Sequence, residues 1–240
     1  MAIEWKSARP AGAARMAGVV AICVAFAAGA RAQDHAVVFA GGTYDSASYG
    51  DIGMQVALPG SAAGRGFAIR GSAFLGGYGY NDGSGQHVDA TFGGGELDGV
   101  YAFSGPWGSA DLFAGVRDVD TRLSPPDVGN PRLGNKAEFA FGTDGDRVFG
   151  PWRTDWYGAY GVSLQDYQTR VSLTHQLGPV WRLGGEVAVE GDPTYTLERI
   201  GPYVGLRLGA HSEIQASAGV SHQSGLGEHA YARISWYRSF

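Results

Sequence analysis

Polarity in this chain alternates with a period of two residues over long stretches. Side chains i and i+2 of a β-strand share a face, so such alternation marks strands with one apolar and one polar side. Over 51–58, Ile52, Met54, Val56 and Leu58 oppose Asp51, Gly53, Gln55 and Ala57. Over 167–174, Tyr167, Thr169, Val171 and Leu173 oppose Gln168, Arg170, Ser172 and Thr174. Over 181–190, Trp181, Leu183, Gly185, Val187 and Val189 oppose Arg182, Gly184, Glu186, Ala188 and Glu190. Ile214, Ala216, Ala218 and Val220 likewise oppose Gln215, Ser217, Gly219 and Ser221. The last run sets Ala230, Ala232, Ile234, Trp236 and Phe240 against His229, Tyr231, Arg233, Ser235 and Tyr237. Composition supports the same class. The 40 glycines among 240 residues disfavour helices, since each interior glycine costs a helix about 1 kcal/mol relative to alanine. A 44 % hydrophobic and 12 % aromatic content argues against disorder, and no Gly-X-Y period suggests collagen.

Residues 1–32 read as a secretory leader rather than as part of the fold. Lys6, Arg9 and Arg15 precede the apolar run 16–28, and Ala30-Arg31-Ala32 offers a small-x-small cleavage site. Cleavage there leaves 33–240 as a single domain. Cys23, the only cysteine, falls in the leader behind Ile22, where lipid attachment wants a small residue. The exported chain then holds no disulfide. The whole chain carries a net charge of −5 and the leader is basic, so the exported part is more acidic still. This charge speaks against nucleic acid as a partner.

The alternating runs and the turn residues between them place strands near 36–46, 49–58, 67–79, 90–103, 109–119, 135–142, 154–165, 167–177, 180–190, 199–209, 213–222 and 229–240. The expected fold is all-β, an antiparallel up-and-down transmembrane β-barrel of twelve strands, with ten or fourteen left open by the weak middle of the chain. A soluble sandwich would alternate too. The barrel is favoured by small residues among the charges of the polar face, as a crowded lumen wants. Aromatic residues also recur near strand ends (Tyr101, Trp107, Trp152, Trp156, Trp181, Tyr195, Trp236), as in the girdles of membrane barrels. The chain further ends on Phe240 in an amphipathic strand, a pattern similar to the assembly signature of outer-membrane barrels. Arg238 departs from that pattern, at a position where an outward arginine costs only about 0–1 kcal/mol near the interface. The expected location is the outer membrane of a Gram-negative cell, with lipid as the first partner. An even strand number puts both ends on the periplasmic side. Loops near 79–86, 120–135, 191–195 and 223–228 then face outward and those near 59–66, 104–108, 143–153, 178–179 and 210–212 inward. The 143–153 segment is long for a periplasmic turn.

The chain resembles the cellulose biosynthesis protein BcsS family of exported proteins. The resemblance is carried by Val38-Phe39-Ala40-Gly41-Gly42, by Leu97-Asp98-Gly99-Val100-Tyr101 before Leu112-Phe113-Ala114-Gly115, and by the loop Leu123-Ser124-Pro125-Pro126-Asp127-Val128-Gly129-Asn130. Gly185-Glu186, Gly191-Asp192-Pro193-Thr194-Tyr195, Gly201-Pro202-Tyr203-Val204-Gly205 and the terminal aromatic strand complete it. It implies an outer-membrane barrel that serves the making or export of cellulose, with glucan chains or secretion components as partners. It implies no catalytic residues.

Arg70, Glu96, Asp98, Arg170, Arg182, Glu186, Glu190, Arg207, Arg233, Tyr203 and Tyr231 are the candidates to line the lumen. Opposite charges there either pair across strands and rigidify the barrel or, with tyrosines, offer hydrogen bonds to passing sugar hydroxyls. Pro125, Pro126, Asp127 and Asn130 mark an outer loop, stiffened by its prolines, as the candidate partner contact. His222 and His229, with Ser221 and Ser224 nearby, form the only spot at the outer edge where a Ser/His pair could support a lipid-modifying activity. Asp144-Gly145-Asp146 lacks the later ligands of a calcium loop and reads as a turn. No catalytic residue, metal or cofactor is expected. Two rival readings are a small selective oligosaccharide or anion channel and, less favoured, a lipid-modifying barrel enzyme.

Overall fold

The computed structural model describes residues 36–62 and 64–240; the leader lies outside the described residues. Twelve antiparallel strands follow in chain order: β1 (Ala36–Tyr44), β2 (Ala47–Ala57), β3 (Gly66–Asn81), β4 (His87–Gly105), β5 (Gly108–Ser124), β6 (Gly134–Phe149), β7 (Trp152–Gly161), β8 (Tyr167–Leu177), β9 (Trp181–Asp192), β10 (Tyr195–Arg207), β11 (Ser212–Gln223) and β12 (Gly227–Ser239). Each pairs with its neighbours in sequence, and β1 pairs with β12, so the sheet closes on itself. Closure removes both sheet edges and leaves no strand with an unpaired side. Both termini of the barrel lie at one rim, the near rim. The turns β1–β2, β3–β4, β5–β6, β7–β8, β9–β10 and β11–β12 lie at the far rim.

Residues paired across strands share a face, and the register carries one face around the ring without a break. Gln55 pairs with Arg70, Arg70 with Asp98, Phe113 with Gly142, Arg170 with Ala188, and Ser217 with Arg233. All of these point into the lumen. The opposite face carries Leu97, Val116, Phe141, Val187, Ile200, Val220 and Ile234, exposed at 46–64 %. Apolar side chains therefore cover the outside and charged ones fill the inside, the reverse of a water-soluble fold. The apolar cover stops short of the far rim on the longest strands. Outward residues of β5 change from Leu112 and Val116 to Asp118, Asp120 and Arg122.

Glycine is abundant partly because the lumen holds large rings. A side chain at Gly53, Gly76, Gly94 or Gly142 would start 2.3, 2.4, 2.8 or 2.5 Å from the ring of Phe39, Phe92, Phe74 or Phe113 respectively. The ring of one strand lies over the glycine of the next and covers its bare backbone.

The described chain has twelve strands, as expected, but several boundaries move: β5 runs on to Ser124 rather than ending near 119, and β10 starts at Tyr195 rather than near 199. β6 runs to Phe149 rather than stopping near 142, so the expected long turn shrinks to 150–151. The turn-like residues Asp144, Gly145 and Asp146 stay in the strand because both carboxylates face lumenal arginines, Arg70 at 2.7 Å and Arg153 at 3.5 Å. β7 ends at Gly161, four residues before its expected end at 165, and 162–166 forms a far-rim connection. The side-chain ends of Arg117, Glu138 and Asp166 crowd Gly161, so a larger residue there would have to displace them.

Candidate functional site

The lumen is lined by side chains in three strata. Nearest the termini, Arg70 reaches Asp144 at 2.7 Å and Asp111 at 3.3 Å. Its Nε donates to the Gln55 carbonyl, whose amide donates to Asp111 at 2.8 Å. Arg153 donates to Asp155 at 2.7 Å. Arg182 binds Asp155 at 3.0 Å and also Glu213. Arg207 is exposed at the near end of β10, outside this network.

Midway, the Glu186 carboxylate accepts from Arg233 at 2.5 and 3.1 Å and from the Ser217 hydroxyl at 2.7 Å. Arg117 binds Glu138 at 2.6 Å and Asp166, and lies 3.9 Å from Glu96. Glu138 also accepts from the Leu164 amide. Asp98, Tyr203 and Tyr231 are buried here.

Toward the far rim, Arg199 binds Glu190 through two nitrogens at 2.8 and 3.0 Å and Asp45 of the β1–β2 turn at 2.6 Å. Beside these ion pairs an apolar plug closes the space: Tyr78, Tyr80, Val88, Ala90, Leu123 and Leu197, with Phe92, Leu133 and Tyr195 against them. Tyr78 stacks on Tyr195 at 5.2 Å. Tyr195 thus turns inward and is not a member of the outer aromatic girdle, because its register partner Asp192 faces the lumen. Gln223 donates across to the Gly79 carbonyl at 3.0 Å.

The β5–β6 loop, 125–133, folds over this plug. Tyr80 donates to Asp127 at 2.8 Å and accepts from Asn130 at 2.7 Å. Arg132 reaches Asp192 at 2.7 Å and Asp166 at 3.2 Å. The tip stays open, with Val128 86 % exposed and Pro126 exposed beside half-buried Pro125. A pocket of about 300 Å³ next to the plug is lined by Tyr80, Asn81, Thr194, Tyr195, Ser224, Gly225 and Leu226.

The structure brings Arg70, Glu96, Asp98, Arg170, Arg182, Glu186, Glu190, Arg233, Tyr203 and Tyr231 onto one lumenal surface, and Asp127 with Asn130 onto Tyr80. It separates the two rim histidines: His222 opens outward and His229 faces in, paired with Ser221. The Ser221 hydroxyl donates to the His229 carbonyl at 3.3 Å rather than to its ring. Among the described residues no cluster of His, Cys, Asp and Glu has the geometry to hold a metal.

Sequence reading missed Asp155, Arg199, Arg132 and Asp166. The first two share the phase of Tyr157 and Tyr203 on their strands, so alternation could have found them. Arg132 and Asp166 lie in loops, where no period applies and only the fold places them.

The model of one family, described as cellulose biosynthesis protein BcsS, matches residues 37–240. No curated protein matches the sequence. Among solved structures, the KdgM porin is 9 % identical with a TM-score of 0.46, covering 85 % of this chain and 99 % of its own. The translocator domain of autotransporter NalP from Neisseria meningitidis is 12 % identical with a TM-score of 0.49, covering 96 % and 100 %. LpxR from Salmonella typhimurium is 10 % identical with a TM-score of 0.42, covering 85 % and 100 %.

Proposed function

We propose that this chain, which belongs to the cellulose biosynthesis protein BcsS family, is an outer-membrane barrel that supports cellulose production at the cell surface. Its place in the membrane is supported by the apolar outward belt. Leaving Leu97, Ile200 and Ile234 some 60 % exposed to water around a closed ring would forgo about 25 cal/mol for every Å² of apolar surface. Acyl chains remove that penalty.

The observation that carries the role is the closed far end. The apolar plug and the 125–133 loop fill the lumen where a porin would open. The resting molecule acts as a scaffold, or as a conduit opened only when the loop is displaced by a partner of the cellulose machinery. It carries out no bond-making step in this reading. Deleting the gene while leaving cellulose synthase intact is expected to lower surface cellulose, and an unchanged amount would overturn the proposal. The wild-type barrel in a planar bilayer is expected to show no steady conductance. A steady current would favour the channel reading instead, in which the charged lumen selects small oligosaccharides or anions.

A further inference from the structure

Between the near-rim ion pairs and the far plug, the lumen contains polar groups that the protein itself does not satisfy. Arg170 on β8 and Asp51 on β2 project from opposite sides of the ring. Arg170 makes no hydrogen bond among the described residues. Its Nε is 3.9 Å from Glu186, and its guanidinium lies 5.9 Å from the centre of the Tyr157 ring. Yet 33 % of its side chain is open, against 3 % for Arg182 and 5 % for Arg199. An arginine on the lumenal face can be open to that degree only if it borders empty space inside the barrel. The Asp51 carboxylate and the hydroxyls of Tyr49 and Tyr157 also lack hydrogen-bond partners among the described residues, and all three share this face. Gly41 leaves room for Asp51: a side chain there would start 2.9 Å from its carboxylate.

We propose that Tyr49, Asp51, Tyr157 and Arg170 form a mid-barrel chamber that binds an uncharged saccharide unit. The inference deepens the cellulose reading and takes from it the choice of a β-linked glucose disaccharide as probe. Two features set the ligand class. Arg170 offers donors only, Asp51 acceptors only, and the two tyrosines both, which suits hydroxyl groups that donate and accept at once. Charge rules out the ionic alternatives. An anion would meet Asp51, Glu96 and Glu186, whereas a cation would meet Arg170 and Arg233. The route in is from the near rim, where Asp144 and Arg153 remain 31 % and 23 % open, since the far end is plugged.

The test is isothermal titration of the full barrel in detergent micelles with cellobiose, glucosamine and glucuronate. Cellobiose is expected to bind, with both charged sugars at least about tenfold weaker. Arg170→Gln and Asp51→Asn are each expected to weaken cellobiose about tenfold, the loss of one hydrogen bond to a charged group, while heat-modified gel mobility stays that of the wild type. If either variant fails to fold, Tyr157→Phe removes a single hydroxyl without changing the ring and is expected to weaken binding measurably. No cellobiose binding, binding untouched by these substitutions, or preference for a charged sugar would each overturn the chamber. The two readings fail separately. Loss of surface cellulose on deletion with no sugar binding removes only the chamber. Sugar binding with unchanged cellulose removes only the cellular role.

Discussion

Arg199 shows how a single lumenal residue can hold distant parts of the ring. It ties Glu190 on β9 to Asp45 in the β1–β2 turn, and its side chain is 5 % exposed. Removing one partner of a buried ion pair strands the other charges, at a cost of about 3 kcal/mol. Arg199→Ala is therefore expected to lower the unfolding free energy of the barrel, read by urea titration in lipid vesicles, by that much, whereas Arg122→Ala, on the outward polar rim, leaves it unchanged. Gly142 makes the complementary case, since its absent side chain is the space that Phe113 occupies. Gly142→Val is expected to cost about 1–3 kcal/mol through overpacking, read in the same denaturation assay. Asp82 in the β3–β4 turn accepts from the Ser84 hydroxyl and the Gln86 and Ser84 amides, which hold its carboxyl below the usual aspartate range. A lowered folded pKa means that the turn gains support above the ordinary aspartate value and loses it as pH falls through the lowered one. Amide exchange at Ser84 and Gln86, corrected for intrinsic rates, is expected to quicken on acidification through that range and to be pH-insensitive in Asp82→Asn.

At the scale of the strand, what matters is which face a side chain takes and how far along the barrel it lies. Leu97 is in the middle of the outward belt on β4, at 62 % exposure. Leu97→Arg is expected to cost about 2–4 kcal/mol in a bilayer, against about 0–1 for an arginine near an interface. Arg238 already occupies such a position, its guanidinium stacked 4.7 Å over the Phe240 ring. Comparing folding equilibria of Leu97→Arg and of Phe103→Arg, on the same face near the end of β4, in the same vesicles checks the assignment, because only the mid-belt arginine should carry the larger cost. The order of the strands and the inward face of β8, β9, β11 and β12 were legible because alternation there is unbroken. β6 was not. Its Asp144-Gly145-Asp146 has the local chemistry of a turn, and the lumenal arginines of β3 and of the neighbouring β7 keep it extended. The same holds for Tyr195, which local spacing assigns to the girdle and the register with Asp192 turns inward.

The whole molecule depends on closure. A ring of strands must bring β1 beside β12, and only then do Asp45, Arg199 and Glu190 meet, or Gln223 reach Gly79. The 125–133 loop adds a second closure across the far mouth. Arg132→Ala would release its hold on Asp192 and Asp166, and brief conductance steps are expected in planar bilayers where the wild type has none. Equal traces from the two proteins would place the seal in the apolar plug alone. The amino-acid sequence by itself determined the strands, their two faces and the inventory of charges, because period-two patterning is a local property of extended chain. The tertiary structure alone decided which charges pair, where the lumen is plugged and where it stays hollow, because those contacts join residues far apart in sequence, which no spacing along the chain encodes.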